Sequence, residues 1–279
     1  MPAYGPDSFW NTPIPSNPQL DPNSSAMVAK ALVGYAGSAN FANTNNWGRA
    51  IYTAKSTDKL YTIHGRNQDI QARIPANAVP NGGSDHHMTV VEGDVETVMW
   101  LASHDPATDI WSAGWVGQTS IVGWGAMCGL GKHCSGPTAA GFALVSGVGR
   151  PEEFKQGHID HAFTIATPYT RAGLIACPAT HSDGKYQDVS ALPEGARIQL
   201  DPTFNVDAQQ WERWQKVMAK ALQKYGAYVA DTGGSLSIKG EAAELDKRGV
   251  SWADIGVPSG PRLAFLPWAK FRVLKLEAC

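Results

Sequence analysis

The feature that most constrains the fold is a series of short, strand-like segments that begins at Ile51. Each segment is four to eight residues long, is rich in β-branched and aromatic residues, and is bounded by Gly, Pro, Asn or Asp. The segments are IYTA (51–54), LYTIH (60–64), ARIP (72–75), HHMTVV (86–91) and VETVMWLA (95–102). This pattern predicts β-strands separated by tight turns. The intervening Glu-Gly-Asp at 92–94 predicts that the last two strands form an antiparallel hairpin.

Further strands are predicted for IDHAFTIA (159–166), ARIQLDP (196–202) and FRVLKLEA (271–278). Three segments have helical signals instead. SSAMVAKALVGY (24–35) has apolar residues three to four positions apart, and Arg150–Phe154 carries a proline in its first turn. The longest predicted helix is Asp207–Tyr225, which has one aromatic and aliphatic face, a start resembling a capping box, and Gly226 as its stop.

These elements predict a single domain over residues 1–279, since the chain has no internal repeat and no linker-like stretch. The fold class is mostly β (α+β), as an antiparallel β-sandwich or jelly-roll-like set of sheets with one long packed helix. A Gly-rich span from Gly114 to Gly149 is predicted to be loop.

Charge and composition exclude several classes of protein. The chain has 23 Lys and Arg against 25 Asp and Glu, and no basic stripe, so a nucleic-acid partner is not expected. No apolar run approaches the roughly 20 residues of a membrane helix. There is no nucleophile elbow, phosphate-binding loop, dinucleotide fingerprint or H-E-x-x-H helix. We expect a monomer with a neutral or locally charged ligand.

The four cysteines suggest an oxidising compartment. Cys128 and Cys134 flank the short segment GLGKH and can close a small disulfide ring, which leaves Cys177 to pair with Cys279. A Cys/Cys/His metal site that uses His133 is the alternative. The sequon at 23–25 also fits a secreted protein.

The best candidate for chemistry is SDHHM, at the start of the predicted hairpin. On a regular strand Asp85 and His87 share one face and His86 lies on the other. Asp85 would then orient His87 as a general base, or both would bind a metal. The alternative is a hydrogen-bonded pair at a strand end.

A second histidine, His161 in HIDHA, lies on the apolar face of another predicted strand. It is either a core histidine or, if the two strands pair, a partner of His87 in one cavity. In that case a divalent metal held by Asp85, His87 and His161 is the cofactor expected.

Two loops supply further candidates. In TPYTRAG, Tyr169 is a candidate proton donor and Arg171 a candidate anion clamp, while in PATHSDG His181 can bind a ligand or a substrate hydroxyl. Simple turn formation accounts for both loops equally well.

Tryptophans point to the class of ligand. Five of them lie in or beside Gly-rich stretches, where an indole can stack on a sugar ring: Trp47, Trp100, Trp111, Trp115 and Trp124. Trp100 and Trp115 are the predicted substrate-stacking residues, although packing is the commoner role for any single tryptophan. The expected partner is a polysaccharide or oligosaccharide.

Several segments together resemble a group of secreted actinobacterial and related proteins without an assigned function. They are SFWNTPIP, D-x-H-M before a hairpin, RPEEFKQGHIDHAF, the Pro-Ala-Thr to Ser-Asp-Gly loop, LPEGARIQLDP, ALQKYGAYVADTGG and LPWAKFRVLKL. The resemblance implies a secreted, extracellular, single-domain protein and transfers no chemistry. The second position of D-x-H-M varies in that pattern, which implies that His86 is dispensable. The segment GLGKHC departs from the pattern.

The function expected from the sequence is extracellular polysaccharide degradation. The leading mechanism is that of a lyase, in which His87, oriented by Asp85, promotes β-elimination while His161 or Tyr169 assists. The alternatives are a glycoside hydrolase, a metal-dependent hydrolase on the same scaffold, and a non-catalytic carbohydrate-binding protein.

Overall fold

A computed structural model describes residues 4–129, 132–246 and 250–278, and it shows a mostly β, α+β architecture. The strands are β1 (Asn40–Ala42), β2 (Ile51–Thr53), β3 (Lys59–Gly65), β4 (Asp69–Ile74), β5 (Met88–Glu92), β6 (Val95–Trp100), β7 (Ser103–Asp105), β8 (Ile110–Ala113), β9 (Trp115–Ser120), β10 (Phe163–Thr167), β11 (Thr170–Ile175), β12 (Leu192–Glu194), β13 (Arg197–Leu200), β14 (Ala227–Thr232), β15 (Ser237–Lys239) and β16 (Phe271–Val273). The α-helices are α1 (Ser24–Met27), α2 (Pro151–Gln156), α3 (Arg213–Lys224) and α4 (Ala243–Asp246).

A six-stranded sheet with the order β1-β15-β10-β14-β13-β16 forms the larger half of the fold. Every residue of its strand β10 is buried, as expected for a strand covered on both faces. The pairs β1–β15 and β10–β14 are parallel and the others antiparallel, so the sheet is mixed. The predicted mostly β, α+β fold class is confirmed, and the sheet departs from antiparallel pairing at these two strand pairs. Helix α3 packs its apolar face, including Trp214, Met218 and Leu222, into the core beside this sheet.

Two four-stranded sheets, β2-β5-β6-β9 and β4-β3-β8-β7, form the other half. Alternate residues of both sheets meet in one apolar core, in which Met88 and Met99 of the first sheet accompany Ile63 and Ile74 of the second. The sandwich-like packing predicted from strand alternation is present in this half. A separate two-stranded pair, β11-β12, adjoins the six-stranded sheet.

The predicted hairpin is confirmed, with a later start than expected. β5 and β6 pair antiparallel around a turn in which Gly93 has φ +57°, a conformation that suits glycine. However, His86 has φ +41° and β5 begins only at Met88. Strict two-residue alternation therefore does not extend back to Asp85.

The helices follow the sequence signals in part. The segment from Ser24 to Ser38 is helical, but it passes from α1 through π and 3₁₀ turns. The long helix starts at Arg213 rather than Asp207, because the Gln215 side chain accepts a hydrogen bond from the backbone N–H of Glu212 and closes the first turn there. Its end beside Gly226, with φ +71°, is as predicted.

Several strands were not predicted, and two of the predicted strands were too long. β9 forms at the start of the 114–149 span, where Gly-rich loop was expected, and β8 lies just before that span. The strand predicted for 159–166 begins only at Phe163, so the HIDHA histidines are not on a strand. The C-terminal strand is shorter than predicted and ends at Val273.

Cys128 and Cys134 form the predicted small disulfide, which rules out the alternative metal site with His133. The predicted partner of Cys177 is Cys279, which lies outside the described residues. Among the residues that are described, no helix is long and apolar enough to cross a membrane.

The Phe9-Trp10 pair from SFWNTPIP fixes the N-terminal segment to the larger half. Trp10 is 1% exposed, its ring lies 5.1 Å from that of Phe142 and 5.2 Å from that of Tyr228, and its Nε1 donates a hydrogen bond to the Gly125 carbonyl. This contact set joins the N-terminal segment to β14 and to the loop after β9.

We expect Trp10→Ala to lower the free energy of unfolding by about 3–5 kcal/mol, because it leaves a cavity in the core and removes the hydrogen bond from the indole Nε1 to the Gly125 carbonyl. Trp124→Ala is the control, since Trp124 is 40% exposed, and it should cost no more than about 1 kcal/mol. Urea unfolding of the three proteins measures both values. Equal losses in the two variants would contradict a special role for the Trp10 cluster.

Candidate functional site

A cleft of about 950 Å³ lies between the six-stranded sheet and the start of the β5–β6 hairpin. The chain segments 135–139, 181–183 and 260–262 complete its walls. Its volume is within the range of sites that bind small or medium-sized ligands.

One face of the six-stranded sheet forms the floor of the cleft. Strand register places Asn40, Ser237, Ala166 and Asp231 in one row across four adjacent strands, and all four residues line the cavity. Lys239 lies two residues beyond Ser237 on β15 and therefore faces the same side. The sheet thus presents a carboxylate and an amine to the same space.

The hairpin side of the cleft carries Asp85, His87 and Trp100. Although residues 85–87 are not part of β5, backbone hydrogen bonds from Leu101 to Asp85 (2.8 Å) and from Ala102 to His86 (3.1 Å) hold them against the end of β6. Asp85 and His87 therefore do line one cavity, as the sequence predicted. The exposed His86 does not line it, and its Nδ1–H donates to the Asn81 carbonyl.

His87 is buried, and both of its ring nitrogens have partners. Its Nδ1 accepts a hydrogen bond from Arg49 at 2.6 Å, and its Nε2–H donates to the Pro137 carbonyl at 2.8 Å. Burial and the adjacent Arg49 charge lower the pKa of His87 well below its usual value. The imidazole is therefore neutral, and its one lone pair is already used.

This geometry corrects the predicted Asp85–His87 dyad. Arg49 and the Pro137 carbonyl orient the His87 ring, and Asp85 is bonded to neither ring nitrogen. The Asp85 carboxylate makes no hydrogen bond or ion pair to the described residues. His87 is consequently a positioning group in the cleft wall, while Asp85 is free to meet a ligand.

Lys239 and Asp231 are the charged residues on the floor of the cleft. Neither side chain forms a hydrogen bond or ion pair to the described residues, although both face the cleft. Burial, with a contribution from the Arg49 charge, lowers the pKa of Lys239 to about 8. Burial raises the pKa of Asp231 to about 6, against the opposing effect of Lys239 and Arg49. Unpaired ionisable groups with shifted pKa values are typical of functional sites.

Two further acids lie beside Asp231, at one end of the floor. Glu194, at the end of β12, is fully buried, and its Oε2 accepts a hydrogen bond from the backbone N–H of Asp183 at 3.0 Å. Burial, followed by the nearby Asp183, raises the pKa of Glu194 to about 8. Asp183 itself accepts a hydrogen bond from the Thr232 hydroxyl.

His161 does not converge with His87. It is buried against helix α2, where its Nε2–H donates to Glu153 at 3.0 Å and its Nδ1–H donates to the Ala162 carbonyl. Burial alone would lower the pKa of His161, but the Glu153 charge overcomes this and raises it. His161 borders a small separate pocket with Tyr4 and Trp10 rather than the cleft.

The predicted metal set of Asp85, His87 and His161 is therefore wrong. These residues do not form a cluster with metal-binding geometry in the described part of the chain, whereas Asp183, Glu194 and Asp231 do. The reason is that HIDHA is not a strand, so it does not pair with the hairpin.

Tyr169 and Arg171 also lie outside the cleft lining. The Tyr169 hydroxyl donates to Asp188 at 2.8 Å, and its ring packs 4.2 Å from that of Tyr186. Arg171 follows on β11, where its backbone bridges to Tyr186. Both belong to a local surface arrangement, so the structure places neither at the predicted site.

Of the predicted substrate-stacking tryptophans, Trp100 lines the cleft and Trp115 does not. Trp100 lines the cleft at 36% exposure, and Trp47 lines it at 52% exposure. Trp115 is the β9 residue paired with Trp100 of β6, but it does not line the cleft. Its ring packs against Gly117, and a side chain at position 117 would clash with that ring. His181 does line the cleft, and its Nδ1–H donates to the Ala139 carbonyl.

Lys239, Asp231 and Glu194 were not predicted as residues of the candidate site. The available signal was the alternation in S-I-K at 237–239, which places Ser237 and Lys239 on one strand face. A lysine on a short strand ordinarily indicates a solvated face, so only the tertiary structure shows that this one faces the cleft.

Comparison of the chain with family models, with curated proteins and with solved structures gave no match in any of the three. The resemblance to secreted proteins noted from the sequence therefore stays a prediction.

We expect His87 to make the fold sensitive to acid. Its folded-state pKa is lower than its unfolded-state pKa, so the unfolded chain binds more protons once the pH falls below about 6.5. Between pH 7 and pH 5 the free energy of unfolding should fall more in the wild type than in His87→Gln, by up to about 1.4 kcal/mol per pH unit.

Urea unfolding at the two pH values measures this difference. His64→Gln, which removes an exposed imidazole from β3, is the matched control. If His87→Gln and wild type lose the same stability, His87 is not held neutral in the folded protein.

Proposed function

We propose that this chain is a secreted carbohydrate-active enzyme, a polysaccharide lyase that cleaves an acidic sugar chain by β-elimination in the cleft. The observation that carries the proposal is Lys239, an amine that faces the cleft, forms no hydrogen bond or ion pair to the described residues and has a pKa of about 8. Such a lysine is partly neutral near physiological pH, as a general base must be.

The chemistry assigned to Lys239 is the removal of one proton. The neutral amine takes the proton from the carbon next to the uronate carboxyl, the adjacent carbon–oxygen bond breaks, and a carbon–carbon double bond forms. The departing oxygen needs a proton, which the ammonium just formed on Lys239 can return to it if both reacting atoms lie on its side of the sugar.

Lys239, rather than the predicted His87, is the proposed general base. A general base needs an available lone pair, and the lone pair of His87 is occupied by the Arg49 hydrogen bond. Tyr169 is bonded to Asp188 and lies away from the cleft lining. Among the residues that line the cleft, Lys239 combines the required charge state with an unobstructed position.

The rest of the lining supports a sugar ligand. Trp47 and Trp100 offer exposed indole faces that can stack on sugar rings, and Asp85 is available to accept hydrogen bonds from hydroxyls. Arg262 adds a second positive charge that attracts a uronate. The disulfide and the absence of a membrane-crossing helix from the described residues are compatible with secretion.

We expect Lys239→Met to lower kcat by about 10²–10⁴-fold on acidic polysaccharides, because it removes the general base. The measurement is the ultraviolet absorbance of the unsaturated uronate produced. In the wild type, kcat/KM should rise with pH and level off above about 8, since the neutral amine is the active form. Lys55→Met, at an exposed turn lysine, is the matched control and should keep full activity.

Cleavage without ultraviolet absorbance would show a hydrolase and contradict β-elimination. Binding of a polysaccharide without any cleavage would identify a carbohydrate-binding protein instead. Full activity of Lys239→Met would show that Lys239 is not the general base.

We expect Trp47→Ala and Trp100→Ala each to raise KM for an oligosaccharide several-fold, since loss of one aromatic stacking contact costs about 0.5–1.5 kcal/mol. Initial-rate measurements over a range of oligosaccharide concentrations test this. Trp124→Ala, at an exposed tryptophan outside the cleft lining, should leave KM unchanged. If all three variants behave alike, the sugar does not bind in this cleft.

A further inference from the structure

We propose that Asp183, Glu194 and Asp231 form a binding site for a hard divalent cation, calcium in particular, in the wall of the cleft. The three side chains come from three separate parts of the fold: Asp183 from the β11–β12 connection, Glu194 from the end of β12, and Asp231 from β14. Asp183 and Asp231 line the cleft, and Glu194 lies behind them.

The geometry of the three carboxylates suits one shared ion. Each offers an oxygen, and these oxygens all lie within 4.8 Å of one another. Oxygens that bind calcium lie about 2.3–2.6 Å from the ion, so two of them on opposite sides are about 4.6–5.2 Å apart. The set therefore fits within a single calcium coordination sphere.

Glu194 gives a second and independent indication of a ligand. The side chain is fully buried, and its Oε1 has no hydrogen-bond partner of normal geometry among the described residues. A buried carboxylate oxygen without a partner costs free energy, and native proteins usually satisfy such groups with a donor or an ion. Because Glu194 adjoins Asp183 and Asp231, a cation held between the three would satisfy this oxygen.

The three carboxylates also lack a direct cationic partner among the described residues. Among the described residues, no lysine or arginine forms an ion pair with any of the three acids. The hydrogen bonds to them come from the Asp183 N–H, from the Thr232 hydroxyl and from the side chain of Ser182, which lies beside Glu194. Neutral donors do not neutralise three carboxylates whose oxygens lie within 4.8 Å of one another.

The donor set selects the type of cation. All three ligands are carboxylates, and hard cations such as calcium, magnesium and manganese prefer oxygen, whereas zinc and copper favour imidazole and thiolate. Magnesium requires shorter bonds of about 2.0–2.1 Å in a nearly ideal octahedron. Calcium tolerates an irregular shell of 6–8 oxygens, which leaves positions open on the cleft side for water or a ligand oxygen.

Binding of the ion does not depend on the proposed lyase activity, but a bound ion would affect how the cleft holds its substrate. An ion bound by Asp231 would lie at the edge of the cleft floor and could hold the carboxylate of an acidic sugar. Only this role rests on the proposed function. Binding of the ion itself can be measured without any substrate.

The test is titration calorimetry of calcium into the chelator-treated full chain, with four variants. Wild type should bind one calcium per chain, and Glu194→Gln and Asp231→Asn should each bind at least about tenfold more weakly, a change of about 1.4 kcal/mol. The matched control is Asp207→Asn, which removes a surface carboxylate near α3 and should bind like wild type. Lys239→Met should also retain calcium, so loss of the base and loss of the ion are measured separately.

Thermal unfolding gives a second readout, since calcium should raise the melting temperature of wild type and of Asp207→Asn but not of Glu194→Gln. Asp183→Asn, at the exposed member of the set, replaces Glu194→Gln if that variant does not fold. The proposal fails if wild type shows no calcium binding at millimolar concentration. It also fails if the site variants bind as tightly as wild type, or if zinc stabilises the wild type and calcium does not.

Discussion

The hydrogen bond between Arg49 and His87 is the contact on which the cleft depends. Arg49 is buried next to residues 240–242, which follow β15, because its backbone exchanges hydrogen bonds with Gly240 and Ala242. Its guanidinium reaches the first residues of the hairpin through His87. One buried cation thus joins the six-stranded sheet to the smaller half of the fold. It also fixes the charge state of its surroundings, since it lowers the pKa values of His87 and Lys239.

The sign of the neighbouring charge determines the direction of the pKa shift at the two buried histidines, His87 and His161. His87 lies beside a cation and is held neutral, whereas His161 lies beside the Glu153 carboxylate and has a raised pKa. Glu153 also closes the first turn of α2 by accepting a hydrogen bond from the backbone N–H of Arg150. The His161–Glu153 pair is therefore accounted for by its role in fixing α2. The unpaired groups gather in the cleft instead.

The sequence predicted the elements of the fold better than the partners of the candidate site. Strand alternation and the turn around Gly93 were sufficient for the β5–β6 hairpin, because both are local properties. The sequence also identified Asp85, His87, Trp100 and His181 as residues that line one cleft. It could not show that the partner of His87 is Arg49, which comes from 38 residues away, since buried pairing is set by tertiary contacts. For the same reason the meeting of Glu194 with Asp231 had no local signal.

The arrangement of charges on the sheet explains why Lys239 and Asp231 remain unpaired. Asp231 on β14 and Ser237 on β15 flank β10, so they are two strand spacings, or about 10 Å, apart. Lys239 lies two residues further along β15 and forms no ion pair with Asp231, although each charge affects the pKa of the other group. A sugar ring can occupy the space between them. The proposed base and the proposed cation site would then face one bound residue from two sides, because β10 holds their strands apart.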